Sequence, residues 1–372
     1  MLKRVYVDNY KTLVNFELSV GQINLFLGPN GSGKSAVFEV LRKIQEFIGG
    51  VSKIEDLFSS YDRTRWQSSL FQTFELDIIG NGGSYTYELS VEHVEKWQKP
   101  RVKYERVGFN KRPLLRFEDG NVHLYRDDYS EGPTYSFDWS LSAVASIFPR
   151  HDNTQLTWFK QRLNRFIIVQ AIPALMRQES AKEELYPSFH LENYVSWYRH
   201  VSQDQGMAYQ LTSELREILP GFDYFRFDAV GEKHRLLKVF FREEDSEGSV
   251  GYDFDELSDG QRMLIALYSM LYAARADKEW PYTLCLDEPE NFLALSEIQP
   301  WLTTLYDLCN EGQLQALLIS HHPELINYLL ASPVGYWFER QSNRPTRVKA
   351  ITIDGKDSLP ASELVARGWL NE

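Results

Sequence analysis

Residues 25–38 read "LFLGPNGSGKSAVF": an apolar run, a loop with three glycines, a lysine and a serine, then a second apolar-patterned segment. The centre, Gly28-Pro-Asn-Gly-Ser-Gly-Lys-Ser35, fits the phosphate-binding pattern G-x-x-x-x-G-K-[ST]. Ahead of it, "QINLFLG" ends apolar like a buried strand. Behind it, "SAVFEVLRKIQEFI" sets Val37, Val40, Leu41, Ile44, Phe47 and Ile48 on one helical face. Phosphate binding needs this order, because glycines let backbone N–H groups converge on an anion and the helix N-terminus adds partial positive charge. Lys34 then neutralises β- and γ-phosphates and Ser35 holds Mg²⁺. The candidate ATP contacts are Asn30, Gly31, Ser32, Gly33, Lys34, Ser35 and Ala36. The plainer alternative is a glycine-rich turn carrying a surface lysine.

The whole chain sets the context for that loop. Its 372 residues, 43% hydrophobic and 25% charged, suit a globular protein with ample core, and no repeat or low-complexity tract interrupts them. The opening "MLKRVYVDNYKTL" lacks an apolar secretion region, and no stretch reaches the roughly 18 apolar residues of a membrane span. The two cysteines, Cys285 and Cys309, sit in apolar surroundings and read as reduced core residues, as expected of a cytoplasmic protein without a membrane partner. A formal charge of −12 opposes phosphate-backbone binding over the whole surface, although a local basic strip is compatible with it.

Three further segments bear on chemistry. "YTLCLDEPE" is a strand-like run ending in Asp287 and Glu288, suited to Mg²⁺ binding by Asp287 and activation of an attacking water by Glu288. "LSDGQRMLIALYSML", from 257, puts Ser258, Gly260 and Gln261 at the start of an apolar helix, a second anion site; alone it reads equally well as an ordinary capped helix. "ALLISHHPELINYL" ends a strand at Ser320 and two histidines. There His321, ahead of His322, can sense a γ-phosphate or the attacking water.

Taken in order, "VYVDNYKTL", "FLGPNGSGKS", "LSDGQR", "CLDEPENFL" and "ISHHPELI" resemble the ATP-binding-cassette ATPases, and within them the RecF/SMC/OLD-like (AAA_21-like) branch. The resemblance covers mainly the first 50 residues and those from 250 to about 330. It implies an α/β P-loop NTPase of the ABC head type, with a central mixed sheet, an antiparallel β subdomain and a helical lid lobe. It also implies a homodimer that sandwiches two ATPs, Ser258 and Gly260 of one copy closing the site of the other. Asp259 stands where many members have glycine. "NFLALSEIQ" after the acidic pair departs from the usual histidine-proline continuation. Gln72, ahead of "TFELDIIG", is the candidate for the Mg²⁺-contacting glutamine, and Asn9 and Lys11 match the opening of the branch, either touching nucleotide or decorating an edge strand.

Between the motifs, 71–138 alternate like strands, with "NGG" at 81–83 as a hairpin signal; 139–219 read helical, and strands return before 249. The expected domains are therefore a nucleotide-binding lobe of 1–70 and 250–372, and an inserted lid lobe of 71–249. Within the lid, Lys99 to Arg116 is strongly basic with interleaved Tyr104 and Phe109, whereas Phe117 to Asp138 is acidic. Pairing between adjacent strands accounts for this better than a nucleic-acid strip. The leading expectation is a Mg²⁺-dependent switch ATPase that controls a separate effector protein in a defence or toxin-controlling setting. The alternatives are a RecF-like DNA repair ATPase, a non-hydrolysing ATP-bound scaffold and a transporter subunit.

Overall fold

The computed structural model describes residues 1–93, 99–242, 248–276, 280–352 and 359–368. Strands β1 (Leu2–Asp8), β2 (Phe16–Ser19) and β3 (Ile23–Leu27) lead into helices α1 (Lys34–Ile48) and α2 (Ile54–Leu57). Six strands follow: β4 (Phe71–Gly80), β5 (Gly83–Glu92), β6 (Arg101–Phe109), β7 (Arg112–Glu118), β8 (Asn121–Tyr125) and β9 (Glu131–Ser136). Next come α3 (Thr154–Leu163), β10 (Phe166–Val169), β11 (Glu179–Ser180), α4 (Tyr194–Val201), α5 (Gln205–Ile218), β12 (Phe222–Val230), β13 (His234–Arg242) and β14 (Ser249–Asp253). The last part holds α6 (Asp259–Ala276), β15 (Tyr282–Asp287), α7 (Leu295–Asn310), β16 (Leu314–Ile319), α8 (Pro323–Leu329), β17 (Gly335–Glu339), β18 (Arg347–Ala350) and α9 (Ala361–Arg367). Among the described residues the longest helix is the 18-residue α6, and none is long and apolar enough to cross a membrane.

The chain divides into two compact units, Met1–Phe166 with Pro333–Thr352, and Ile167–Ser332 with Ile353–Glu372. In the first, eight strands pair in the order β2-β1-β4-β5-β6-β7-β8-β9. The expected boundary at residue 70 runs through this sheet, since β1 pairs antiparallel with β4 (Val7 opposite Phe74). In β4, Phe74, Leu76 and Ile78 turn inward while Thr73, Glu75 and Asp77 do not, the alternation of a sheet covered on one face. Helix α3 covers that face: Trp158 stacks on Tyr85 at 4.9 Å between ring centres and Phe159 lies 5.7 Å from Tyr87. Gln45 of α1 reaches the end of α3, its Nε2 donating to Leu163 O at 3.0 Å and Phe166 O at 2.7 Å. Strand β3 is buried at every residue and pairs in parallel with β17, which pairs antiparallel with β18.

In the second unit β15 and β16 run parallel, Asp287 level with Ile319. Both consist almost wholly of buried residues, the pattern of strands covered on two faces. Helix α6 is buried continuously from Met263 to Ala274, and Tyr194 Oη of α4 lies 2.9 Å from Ser269 Oγ on it. A separate sheet joins β12, β13, β11 and β14. Within 139–219, where the sequence reads helical, Phe166–Val169 is instead a strand beside β15 with all four residues buried. A four-residue apolar run with β-branched residues is too short for its period to separate strand from helix, so burial on both sides decides.

Candidate functional site

The phosphate-loop residues lie in the first unit. Gly28 has φ 140°, and a Cβ there would stand 2.1 Å from Phe338 O, so only glycine lets the chain leave β3 against β17. Gly33 has φ 102°, and its Cβ would meet Thr346 Oγ1 at 2.6 Å and Thr12 Oγ1 at 3.0 Å. Helix α1 starts at Lys34 with Gly33 as N-cap, a residue with no side chain to cap the first turn. Lys34 is almost fully buried, its Nζ donating to Gly28 O at 2.6 Å and Pro29 O at 3.1 Å. Asn30, Gly31 and Ser35 are exposed, Ala36 half-buried and Ser32 buried, and Ser32 Oγ has no hydrogen-bond partner. A glycine-shaped loop, a helix start with glycine as N-cap, an inward lysine and an unsatisfied hydroxyl together fit a polyphosphate.

Two residues that the motif does not include brace this loop. Thr346 Oγ1 donates to Ser32 O at 2.9 Å and accepts from Thr12 Oγ1 at 2.8 Å, and Thr346 N–H donates to Thr12 O at 2.9 Å. Thr346 lies 314 residues from Ser32, and no local pattern signals its role. Lys11 carries an ion pair to Glu39 of α1. Asn9, at φ 61°, is fully buried; its Nδ2 donates to Ser69 O at 2.9 Å and Phe71 O at 2.7 Å, and its Oδ1 accepts from Thr64 N–H at 3.1 Å. Gln72 is fully buried beside it, Nε2 donating to Asn9 O at 3.0 Å and Oε1 set 2.7 Å from His93 Nε2. Burial lowers the His93 pKa to about 4, so the ring is neutral and donates to Gln72. Both ends of the Gln72 amide are thus engaged within the unit, with one acceptor site of Oε1 taken by His93.

The remaining candidates lie together in the second unit. Asp287 ends β15 almost fully buried, and Glu288 follows at φ 51°, a left-handed conformation uncommon for a residue with a Cβ. Glu288 N–H donates to Ile319 O at 2.8 Å, joining the acidic loop to the end of β16, and Glu288 Oε2 accepts from Asn291 Nδ2 at 2.8 Å. Ser258 and Gln261 form a reciprocal cap at the start of α6: Ser258 N–H donates to Gln261 Oε1 at 3.0 Å and Gln261 N–H to Ser258 Oγ at 3.2 Å. Ser258 is exposed, and Arg262 binds Asp259 Oδ1 at 2.6 Å and Pro173 O at 2.8 Å, fixing the helix entry. A Cβ on Gly260 would lie 2.8 Å from Phe292 O, so the helix start rests on the backbone of the acidic loop. His321 is exposed at the exit of β16. Sequence reasoning passed over Glu290, which is buried and accepts at Oε1 from Ser320 Oγ at 2.6 Å and His321 N–H at 3.2 Å. Burial raises its pKa. The second glutamate of "DEPE" was its only signal.

Among the described residues no three His, Cys, Asp or Glu side chains are placed to cage a metal. Mg²⁺ takes one or two protein oxygens and completes its shell with phosphate and water, and the hydroxyl of Ser35 and the carboxylate of Asp287 are oxygen donors of that kind. The basic strip of the large sheet is paired in part: Arg101 pairs with Glu92 at 2.7 Å, Lys103 with Asp119 at 2.6 Å, and Arg106 with Glu118 at 2.6 Å and Glu88 at 3.2 Å, whereas Arg112 and Arg116 stand over the rings of Tyr129 and Tyr125. Lys99 reaches Glu55 at 2.7 Å. The expected pairing with the acidic segment 117–138 is met by Lys103 and Arg106, while Lys99 and Arg101 pair with Glu55 and Glu92 outside it.

Residues 23–327 match the model of the family described as "AAA domain, putative AbiEii toxin, Type IV TA system". That span covers most of the chain, which belongs to this AAA_21 family of AAA-type ATPases. Its fold is similar to that of an SMC head solved bound to the C-winged helix domain of ScpA, with TM-score 0.54 at 12% identity over 94% of this chain and 98% of that one. The SMC head domain from Thermotoga maritima aligns over 95% of this chain and 99% of its own at 13% identity, with TM-score 0.48, too distant to bear on the fold. No curated protein matches the chain.

Proposed function

We propose that the protein is a Mg²⁺-dependent ATPase that closes as a head-to-tail homodimer on ATP, opens on hydrolysis and so controls a separate effector protein. The observation that carries nucleotide binding is the phosphate loop: Gly28 and Gly33, where a Cβ would clash, an α1 whose N-cap is glycine, and Lys34 Nζ held on Gly28 O and Pro29 O. Lys34 exchanges those carbonyls for phosphate oxygens, at little geometric cost because the side chain already lies along the loop. Ser35 and Asp287 are the proposed Mg²⁺ ligands; an ion held by them would supply charge to screen the phosphates. Glu288 holds and deprotonates the attacking water, aimed by its left-handed backbone and by Asn291. His321, exposed at the end of β16, senses the γ-phosphate, and Ser258 with Gly260 meets the partner copy's nucleotide.

We read residues 1–70 with 250–372 as the nucleotide-binding lobe and 71–249 as a lid that shares the eight-stranded sheet with it through the β1–β4 pairing. The pairing of Arg101, Lys103 and Arg106 with carboxylates supports a protein effector over DNA, as does the SMC head bound to a winged-helix domain. Phosphate release with ATP and Mg²⁺ tests the proposal. Wild type is expected to turn over, Lys34→Ala to lose ATP binding by at least about a hundredfold, and Glu288→Gln to bind ATP normally while losing at least about a hundredfold in kcat. Normal turnover by the Glu288→Gln protein overturns the assignment, and tight ATP binding without turnover by wild type supports the scaffold reading.

A further inference from the structure

Within the second unit, one short loop meets the start of α6 at Gly260 and the exit of β16 at Ser320 and His321. From Glu288 to Phe292 it supplies the carboxylate bound by Asn291 and the carbonyl under Gly260. It also supplies Glu290, whose side chain crosses from this loop to the exit of β16. Ser320 Oγ and His321 N–H both donate to Glu290 Oε1, at 2.6 and 3.2 Å, and Ser320 Oγ in turn accepts His322 N–H at 3.0 Å. Three consecutive residues at the turn are therefore oriented by one carboxylate oxygen, Ser320 through its hydroxyl and the two histidines through their amides.

The other oxygen is the unusual one. Glu290 is 7% exposed, and its Oε2 has no hydrogen-bond partner; the same is true of buried His322 Nδ1. A buried carboxylate with one oxygen unsatisfied costs stability, and a leucine of similar volume would fill the space without that cost. The carboxylate is explained if the position of the histidine turn matters more than the lost stability.

We propose that Glu290 is the positioning residue of the histidine switch: through Ser320 and the His321 amide it sets where the His321 imidazole stands relative to the acidic loop. This rests on the reading of His321 as γ-phosphate sensor. Glu290 itself does not touch the reacting atoms. Its geometric task needs an acceptor at Oε1, which glutamine retains and leucine lacks.

The test uses the full-length chain labelled with ¹³C at histidine Cε1, the His321 signal being assigned with His321→Asn. Glu290→Gln is expected to leave that signal in place, Glu290→Leu to shift it, and Ser320→Ala to shift it in the same direction should the leucine variant fold poorly. In ATP hydrolysis, Glu290→Leu is expected to lower kcat at least about tenfold with ATP affinity unchanged, and Glu290→Gln to stay within about threefold of wild type. A His321 signal unmoved in both Glu290→Leu and Ser320→Ala, or equal loss in the glutamine and leucine variants, overturns the proposal. Should wild type hydrolyse no ATP, the proposed function fails, while the imidazole signal still decides the role of Glu290.

Discussion

At Gly28 the requirement for glycine is steric as well as conformational. A Cβ 2.1 Å from Phe338 O cannot be accommodated by rotating a side chain, because the obstacle is backbone of a paired strand. Gly28→Ala is therefore expected to destabilise the protein by about 3 kcal/mol or more in denaturant unfolding; a loss below about 1 kcal/mol would mean that β3 and β17 can part freely. Gly31 differs, since nothing lies within 4 Å of its Cβ position and only its φ of 74° favours glycine. Thr346 belongs to the same scale. Removing its hydroxyl in Thr346→Ala takes the donor from Ser32 O, with an expected cost of about 1–2 kcal/mol, and Thr346→Ser should restore it. The motif residues were visible at this scale because backbone chemistry restricts their types; Thr12, Thr346 and Glu290 were not, since a threonine or glutamate is admissible almost anywhere.

Among the elements, β6 shows how a sheet takes a charge into its core. Glu105 is fully buried, accepting from Ser142 Oγ at 2.7 Å, Tyr87 Oη at 3.0 Å and Ala143 N–H at 2.6 Å, and so ties the segment after β9 to the underside of the strand. Burial pushes its carboxyl up to about 7, although those donors pull the other way. A carboxyl raised in the folded state contributes most below its unfolded pKa near 4.5 and loses that contribution as pH rises through 7. The stability of wild type relative to Glu105→Gln is thus expected to fall by about 3 kcal/mol between pH 4.5 and 7. A difference independent of pH, measured by denaturant midpoints, would show that Glu105 titrates normally. The elements themselves were legible where periodicity runs long. Helix α1 buries Val37, Val40, Leu41, Ile44, Phe47 and Ile48, as its spacing requires, whereas β10 could be told from a helix only by its neighbours.

Across the whole molecule, the proposed dimer makes a prediction that no single chain can meet. Lys34→Ala removes the phosphate contact of its own site and Ser258→Arg obstructs the site of its partner. Each variant alone is expected to hydrolyse almost no ATP, whereas a one-to-one mixture should recover up to about a quarter of wild-type activity, because half the dimers retain one complete site. A mixture as inactive as its components would argue against closure in trans. The acidic net charge of −12 is consistent with such a switch acting on protein, since it disfavours adhesion to nucleic acid over the surface at large.

The α/β class, the phosphate loop and the order of the motifs were determined by the sequence alone, because turn chemistry, helical period and anion binding each restrict which residues can stand at short spacing. Where the chain divides into compact units, that β1 completes the large sheet beside β4, and that Thr346 braces Ser32 were decided only in three dimensions. Those contacts join residues tens to hundreds of positions apart. Their partners are chosen by which strands pair and which groups burial obliges to find a hydrogen bond, and neither leaves a local trace in the chain.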